Sequence, residues 1–312
     1  MTVGGSFLML ACVGITIAAP ALIETPTPPA PTETAPPIIT VTIPTTVPIT
    51  STIAPTSTAT TTFTPSPVPT ASWSHQGPGT VLVPILLYHQ IAVSRTSSRY
   101  YTPPEKFEAE MKLLYDWGYS TITTELLVKA IKEGADLPLH SVLITFDDGD
   151  LNAYTAAFPI MQKYGFTGVL YIVGNYIDAP GDMNAEQIKE MTAAGWEVGS
   201  HSMNHLDLSA LEDQRQRYEI VESREFLEAK LGLPVLSFAY PYGISNTGII
   251  DYAEFAGYTT GMSLGSSDNH GLTNLFLLQR HDIKGTYELN QFAAFLPWQG
   301  DPGFLPTVTP TP

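Results

Sequence analysis

Two adjacent acids, Asp147 and Asp148, follow the apolar run in SVLITFDDGD, and two histidines four apart, His201 and His205, frame the stretch HSMNH. Neighbouring carboxylates repel and burial strips their hydration, so such a pair at the end of an apolar run calls for a positive partner. Two imidazoles at i and i+4 on a helical turn face one way, a spacing that lets two neutral nitrogens share a metal ion. Alone, that histidine pattern is common on protein surfaces. Joined to the acids, it completes a set: two imidazoles and one carboxylate make a three-ligand divalent site with positions left open, the arrangement of a catalytic metal. A divalent ion lowers the pKa of the water it holds to about 7, and the second carboxylate is then free to act as a base while that water attacks a carbonyl.

Elements whose ends converge must position these groups. Apolar runs alternate with helical patterns from about residue 80 to 300, the signature of a mainly parallel sheet covered by helices. Strands are expected at 81–89, 141–146, 167–173, 196–200, 236–241, 258–263 and 275–280, and helices at 104–117, 124–132, 151–164, 184–194, 208–231, 247–256 and 287–296. Seven strands, each followed by a helix or loop, predict a closed or nearly closed β/α barrel. In such barrels the chemistry sits at the C-terminal strand ends. His89 follows ILLY, Asp147 and Asp148 follow LITF, His201 and His205 follow EVGS, and Tyr240-Pro241-Tyr242-Gly243 follows SFA, so all are expected on one rim. The segment 208–231 has mixed charges at i, i+3 and i+4, as a solvated outer helix would.

TFDDG, HSMNH and FAYPYG, in this order, resemble the first three motifs of the polysaccharide deacetylases, the family-4 carbohydrate esterases with a NodB-type domain, over about residues 80 to 300. The resemblance implies an α/β fold, a distorted (β/α)7 barrel forming a single catalytic domain, that hydrolyses acetyl groups from sugars. It implies Asp147 as general base, Asp148, His201 and His205 as ligands of a divalent metal, and the backbone N–H of Tyr242 as an oxyanion donor. The metal so implied is zinc, with cobalt and nickel suited to comparable ligands. The third motif usually begins with an arginine that pairs with the base, and Ala239 stands there; the Asp-Trp fourth motif is absent. VPILLYHQI with TPPEKFEAEMKLLYDWGYSTIT resembles the circularly permuted poly-N-acetylglucosamine deacetylases, whose general acid comes from the N-terminal strand. That implies His89 for this role, with His281 as the competitor and Arg280 as the replacement partner of Asp147. Tyr171, Tyr176 and Trp298 are candidates for stacking on sugar rings, with core packing as the alternative.

The rest of the chain is read from composition. Of 312 residues, 14 are Lys or Arg and 30 Asp or Glu, a formal charge of −16 that disfavours nucleic-acid binding. Residues 1–23 hold an uncharged apolar run with Ala19-Pro20-Ala21 as a small-residue cleavage site, expected to act as a signal peptide or signal anchor. Residues 24–77 are rich in Pro, Thr and Ser, a disordered tether able to link the 78–300 domain to the cell envelope, and 301–312 is a short Pro/Thr tail. The one cysteine, Cys12, precedes the domain. The expected function is a metal-dependent hydrolase that removes N-acetyl groups from an extracellular or cell-wall polysaccharide of N-acetylglucosamine type. An acetylxylan O-deacetylase and a catalytically silent carbohydrate-binding module are the alternatives.

Overall fold

The computed structural model describes residues 71–96 and 98–300; the leader, the tail and all of the tether up to residue 70 lie outside them. Seven strands carry the expected apolar runs: β1 Ile85–Tyr88, β2 Ser141–Phe146, β3 Val169–Ile172, β4 Glu197–Ser200, β5 Ser237–Ala239, β6 Thr260–Leu264 and β7 Leu278–Asp282. Each pairs in parallel with the next in sequence, and β7 pairs with β1 to close the barrel. Around it run α1 Pro104–Asp116, α2 Thr124–Glu133, α3 Phe158–Lys163, α4 Ala185–Ala193, α5 Asp213–Arg217, α6 Ser223–Leu231, α7 Thr247–Phe255 and α8 Leu289–Ala293.

Side-chain alternation along the strands builds two cores. Ile85, Leu143, Val169, Tyr171, Ala239, Met262 and Leu278 fill the lumen. Their neighbours Leu86, Tyr88, Ile144, Phe146, Leu170 and Phe238 face outward and pack under the helices. One helix departs from that ring: α2 sends Leu127, Val128, Ala130 and Ile131 into the lumen cluster, which closes the foot of the barrel. The side chain of Thr123 accepts from the Leu126 N–H and starts α2 there, as an N-cap does. The sequence pattern does not reveal that plugging role, because an amphipathic stripe looks the same on a plug as on an outer helix.

Two other segments differ from expectation. Trp73–Gln76, within the stretch assigned to the tether, is a strand antiparallel to Ala135–Pro138. The segment 208–231 is a continuous helix only from Asp213: Leu208–Ala210 is a separate 3-10 turn, and α5 runs into α6 through a π-helical turn at Tyr218–Glu222, within which Glu219 is fully buried. Among the described residues, no helix is long and apolar enough to cross a membrane.

Candidate active site

The same alternation that fills the lumen delivers the chemistry to its mouth. On β1 the inward series Ile85 and Leu87 continues to His89; on β2 Leu143 and Thr145 continue to Asp147; on β4 Gly199 continues to His201; on β7 Leu278 leads to Arg280 and Asp282. With Asp148, His205, Tyr242, Tyr100 and Arg99, these side chains line a cavity of about 500 Å³. Parity places His281 on the opposite side of β7, where its Nε2 lies 2.7 Å from Asp268 and its ring packs on Phe295. The competitor for general acid therefore lies outside the cavity that holds His89.

Asp148 is out of register with its neighbour, and parity would turn it outward. Its backbone adopts a left-handed conformation, φ 75°, which swings the carboxylate back to the mouth, and Gly149 follows at φ 98°. The histidine pair is not on a helical turn, as its spacing suggested. Ser202 at φ 66° and His205 at φ 54° fold HSMNH into a tight loop that brings the two rings to 4.7 Å. Tyr242 is left-handed too, at φ 60°. Such non-glycine conformations persist only where surrounding contacts enforce them, and they cluster at functional sites.

Asp147 and Asp148 part company electrostatically. Burial would raise the pKa of Asp147, but the Arg280 guanidinium overrides it and holds the carboxyl down at about 2. The pairing is two-pronged, Nη1 to Oδ1 at 2.6 Å and Nη2 to Oδ2 at 2.8 Å, with the guanidinium stacked 5.3 Å over the Tyr171 ring. Asp148 is pushed the other way, to about 6, by burial and by the charge of Asp147, against the pull of His89. Burial also lowers His201 to about 4 and shifts His205 down, so both imidazoles are neutral near pH 7.

These residues fit a divalent cation. Ligand atoms of Asp148, His201 and His205 lie within 4.8 Å of one another, with Asp148 Oδ1 3.7 Å from His201 Nε2 and 3.5 Å from His205 Nε2. Asp148 Oδ1 is buried and has no hydrogen-bond partner, which a cation would supply. His201 Nδ1 sits 2.8 Å from the carbonyl of Ala239; a carbonyl only accepts, so Nδ1 carries the proton and Nε2 keeps its lone pair for a ligand.

A family model described as polysaccharide deacetylase matches residues 134–261. The homologue YxkH of Bacillus subtilis is 31% identical over 214 residues, covering 69% of this chain and 76% of its own. The chain belongs to the polysaccharide deacetylase family. The poly-β-1,6-N-acetyl-D-glucosamine N-deacetylase of Staphylococcus epidermidis is 27% identical over 188 residues, 55% of this chain and 64% of that protein. Among solved structures, the deacetylase PplD of Streptococcus pyogenes, in complex with acetate, superposes with a TM-score of 0.65 at 25% identity, covering 69% of this chain and 98% of that one.

For this deacetylase the model-matched stretch holds both acids and both histidines but neither His89 nor Arg280, which flank it on β1 and β7. Barrel closure joins these two strands and so brings the outlying residues to the site. His89 lies in the cavity wall, its buried Nδ1 without a hydrogen-bond partner and its ring 4.8 Å from that of Tyr100. The Tyr242 ring packs on His205 at 4.7 Å, and its hydroxyl donates to the His205 carbonyl at 3.3 Å. Of the aromatic candidates, Tyr171 is buried in the lumen and Trp298 stacks on His140 at 4.4 Å, just before the first residue of β2 and so at the foot; neither reaches the mouth. Tyr176 remains, over a third exposed and with its hydroxyl in the field of Asp148. Sequence reading missed Arg99 and Tyr100, which a loop brings to the wall when Gln90 N–H donates to the Tyr100 carbonyl and Thr102 N–H to that of Gln90. No strand parity reaches that loop.

Proposed function

We propose that this polysaccharide deacetylase is a metal-dependent N-deacetylase of an extracellular or cell-wall polymer of N-acetylglucosamine type. The observation that carries the reading is the Asp147–Arg280 pair beside the Asp148, His201 and His205 ligand atoms on one cavity floor. The named activity of the S. epidermidis relative supports N-acetylglucosamine as the sugar. The ligand set suits zinc, and cobalt or nickel as substitutes.

Asp148, His201 and His205 would hold the ion, which when bound polarises the acetyl carbonyl and acidifies water. Asp147 takes the proton of the attacking water. At a pKa of about 2 it is a weak base, so it acts only on water already made acidic. Arg280 keeps that carboxylate ionised and aimed. The Tyr242 backbone N–H donates to the oxyanion, and His89 gives a proton to the departing nitrogen as the C–N bond breaks. The products are acetate and a free amine. We place the protein outside the cell, exported by residues 1–23, with the deacetylase domain joined to the envelope through the Pro/Thr-rich tether.

Acetate release decides among the readings. The expected result is metal-dependent release from poly-N-acetylglucosamine, lost in Asp147→Asn and His201→Ala. Release from acetylxylan alone would reassign it as an O-deacetylase, and saturable glycan binding without turnover would make it a binding module.

A further inference from the structure

The loop that carries both histidine ligands has little structure of its own. Between His201 and His205 it has no helical hydrogen bonds, and two of its residues are left-handed. Within it the His205 N–H donates to Ser202 Oγ at 2.9 Å, and the other ties come from outside. Its floor is one side chain, Glu219, fully buried in the π-helical turn between α5 and α6. Glu219 Oε2 accepts from the Asn204 backbone N–H at 2.7 Å and Oε1 from the Asn204 side-chain amide at 2.8 Å. The backbone of Glu219 adds a third tie, its carbonyl accepting the Met203 N–H at 3.1 Å. The carboxylate is itself held by Arg215, whose Nη2 lies 2.9 Å from Oε1. On the opposite side the Ser202 and Met203 carbonyls accept from the N–H groups of Gly174 and Asn175, both at 3.0 Å.

A buried carboxylate is costly unless its charge is compensated and its lone pairs are occupied. Here two of the donors on that carboxylate belong to the ligand loop and the third to Arg215, so desolvation of Glu219 is fully offset only when the loop has this shape. A regular α-helical turn closes on i→i+4 bonds; a π turn admits one extra residue and is found mostly where a helix is bent to a functional purpose.

We propose that Glu219 is a positioning residue for the metal-ligand loop: it clamps Met203 and Asn204 so that His201 and His205 present their Nε2 atoms to one ion. This rests on the reading of Asp148, His201 and His205 as its ligands. Glu219 touches neither ion nor substrate, and acts through the loop it holds.

The test is metal affinity. The metal-free full chain is titrated with cobalt(II), read by its visible absorption and by equilibrium dialysis, in parallel with thermal unfolding. Loss of a residue that orients metal ligands typically weakens binding about 10- to 100-fold, which is the change expected for Glu219→Ala. Glu219→Gln keeps one acceptor oxygen and is expected to fall between it and the parent. Arg215→Ala removes the charge partner of that buried carboxylate and is expected to weaken cobalt binding a few-fold and to lower the melting temperature, so its affinity is read well below its own melting temperature. A residue with only a structural part would lower the melting temperature and leave the cobalt dissociation constant unchanged well below it; that result overturns the proposal. Should Glu219→Ala not fold, unchanged affinity in both Glu219→Gln and Arg215→Ala overturns it equally. A parent protein whose cobalt spectrum matches that of His201→Ala would instead overturn the metal-site reading on which the proposal stands.

Discussion

Two acids that share a peptide bond end up in opposite chemical conditions. Asp147 continues the inward series of β2 and meets a guanidinium; Asp148 is turned by its left-handed backbone toward two neutral imidazoles. One is therefore a fixed anion, and the other a carboxyl with a raised pKa beside two candidate metal ligands. Asp147→Asn should lower kcat by about 10²- to 10⁴-fold, the worth of a general base, and leave cobalt affinity near that of the parent, because the ligand set is intact. Steady-state kinetics beside a metal titration separates the two. Arg280→Met should cost on the order of 3–5 kcal/mol in chemical denaturation, since it leaves a buried carboxylate without its partner. Combined with Asp147→Asn it should cost much less than the sum of the two, as coupled residues do.

At the scale of elements, much was legible. The seven apolar runs became the seven barrel strands, and the rule that barrel chemistry sits at strand ends collected the site residues on one rim. Period-two reading extends this: it alone sends Arg280 inward and His281 outward. What could not be read was backbone conformation outside regular elements. No pattern marks Asp148, Ser202, His205 and Tyr242 as left-handed, or Tyr218–Glu222 as a π turn, because tertiary contacts enforce these states against local preference. Nor did composition separate Trp73–Gln76 from the Pro/Thr tract before it. That strand covers the edge of Ala135–Pro138, next to α2. A chain trimmed to 78–300 should melt several degrees below one trimmed to 71–300, measured by calorimetry.

Helix α1 contributes a titrating group that the chemistry does not use. Burial pushes Glu110 up to about 8, although Tyr88, which donates to its Oε2 at 2.9 Å, pulls the other way. The folded chain thus keeps a proton that the unfolded chain releases above about pH 4.5. Stability from this group is complete below that value, falls as pH rises, and stops falling above pH 8. Glu110→Gln removes the dependence. Its gain over the parent should be near zero at pH 4 and on the order of 2–4 kcal/mol at pH 8, read from denaturation midpoints at both.

For the molecule as a whole, the barrel has one open end and one closed end. Arg99 and Tyr100 line the open end of the cavity, with Asp147 and Asp148 in the same lining, and Tyr176 stands over a third exposed. A protein of net charge −16 repels polyanions, and it tolerates the amines that the proposed N-deacetylation would create. Successive turnovers along one polymer should therefore not slow as its cationic character grows, and a time course of acetate release at low salt checks this.

The α2 plug has a kinetic consequence. A pocket sealed at the foot has no back door: in the proposed reaction, acetate formed beside Asp147 would depart along the path by which the sugar came in, and the sugar would stand in that path. Release is then compulsory in order, polymer first and acetate last. Acetate should accordingly inhibit competitively against polymer, with the deacetylated chain behaving as a noncompetitive product; the reverse pattern would mean that the sealed foot opens during turnover.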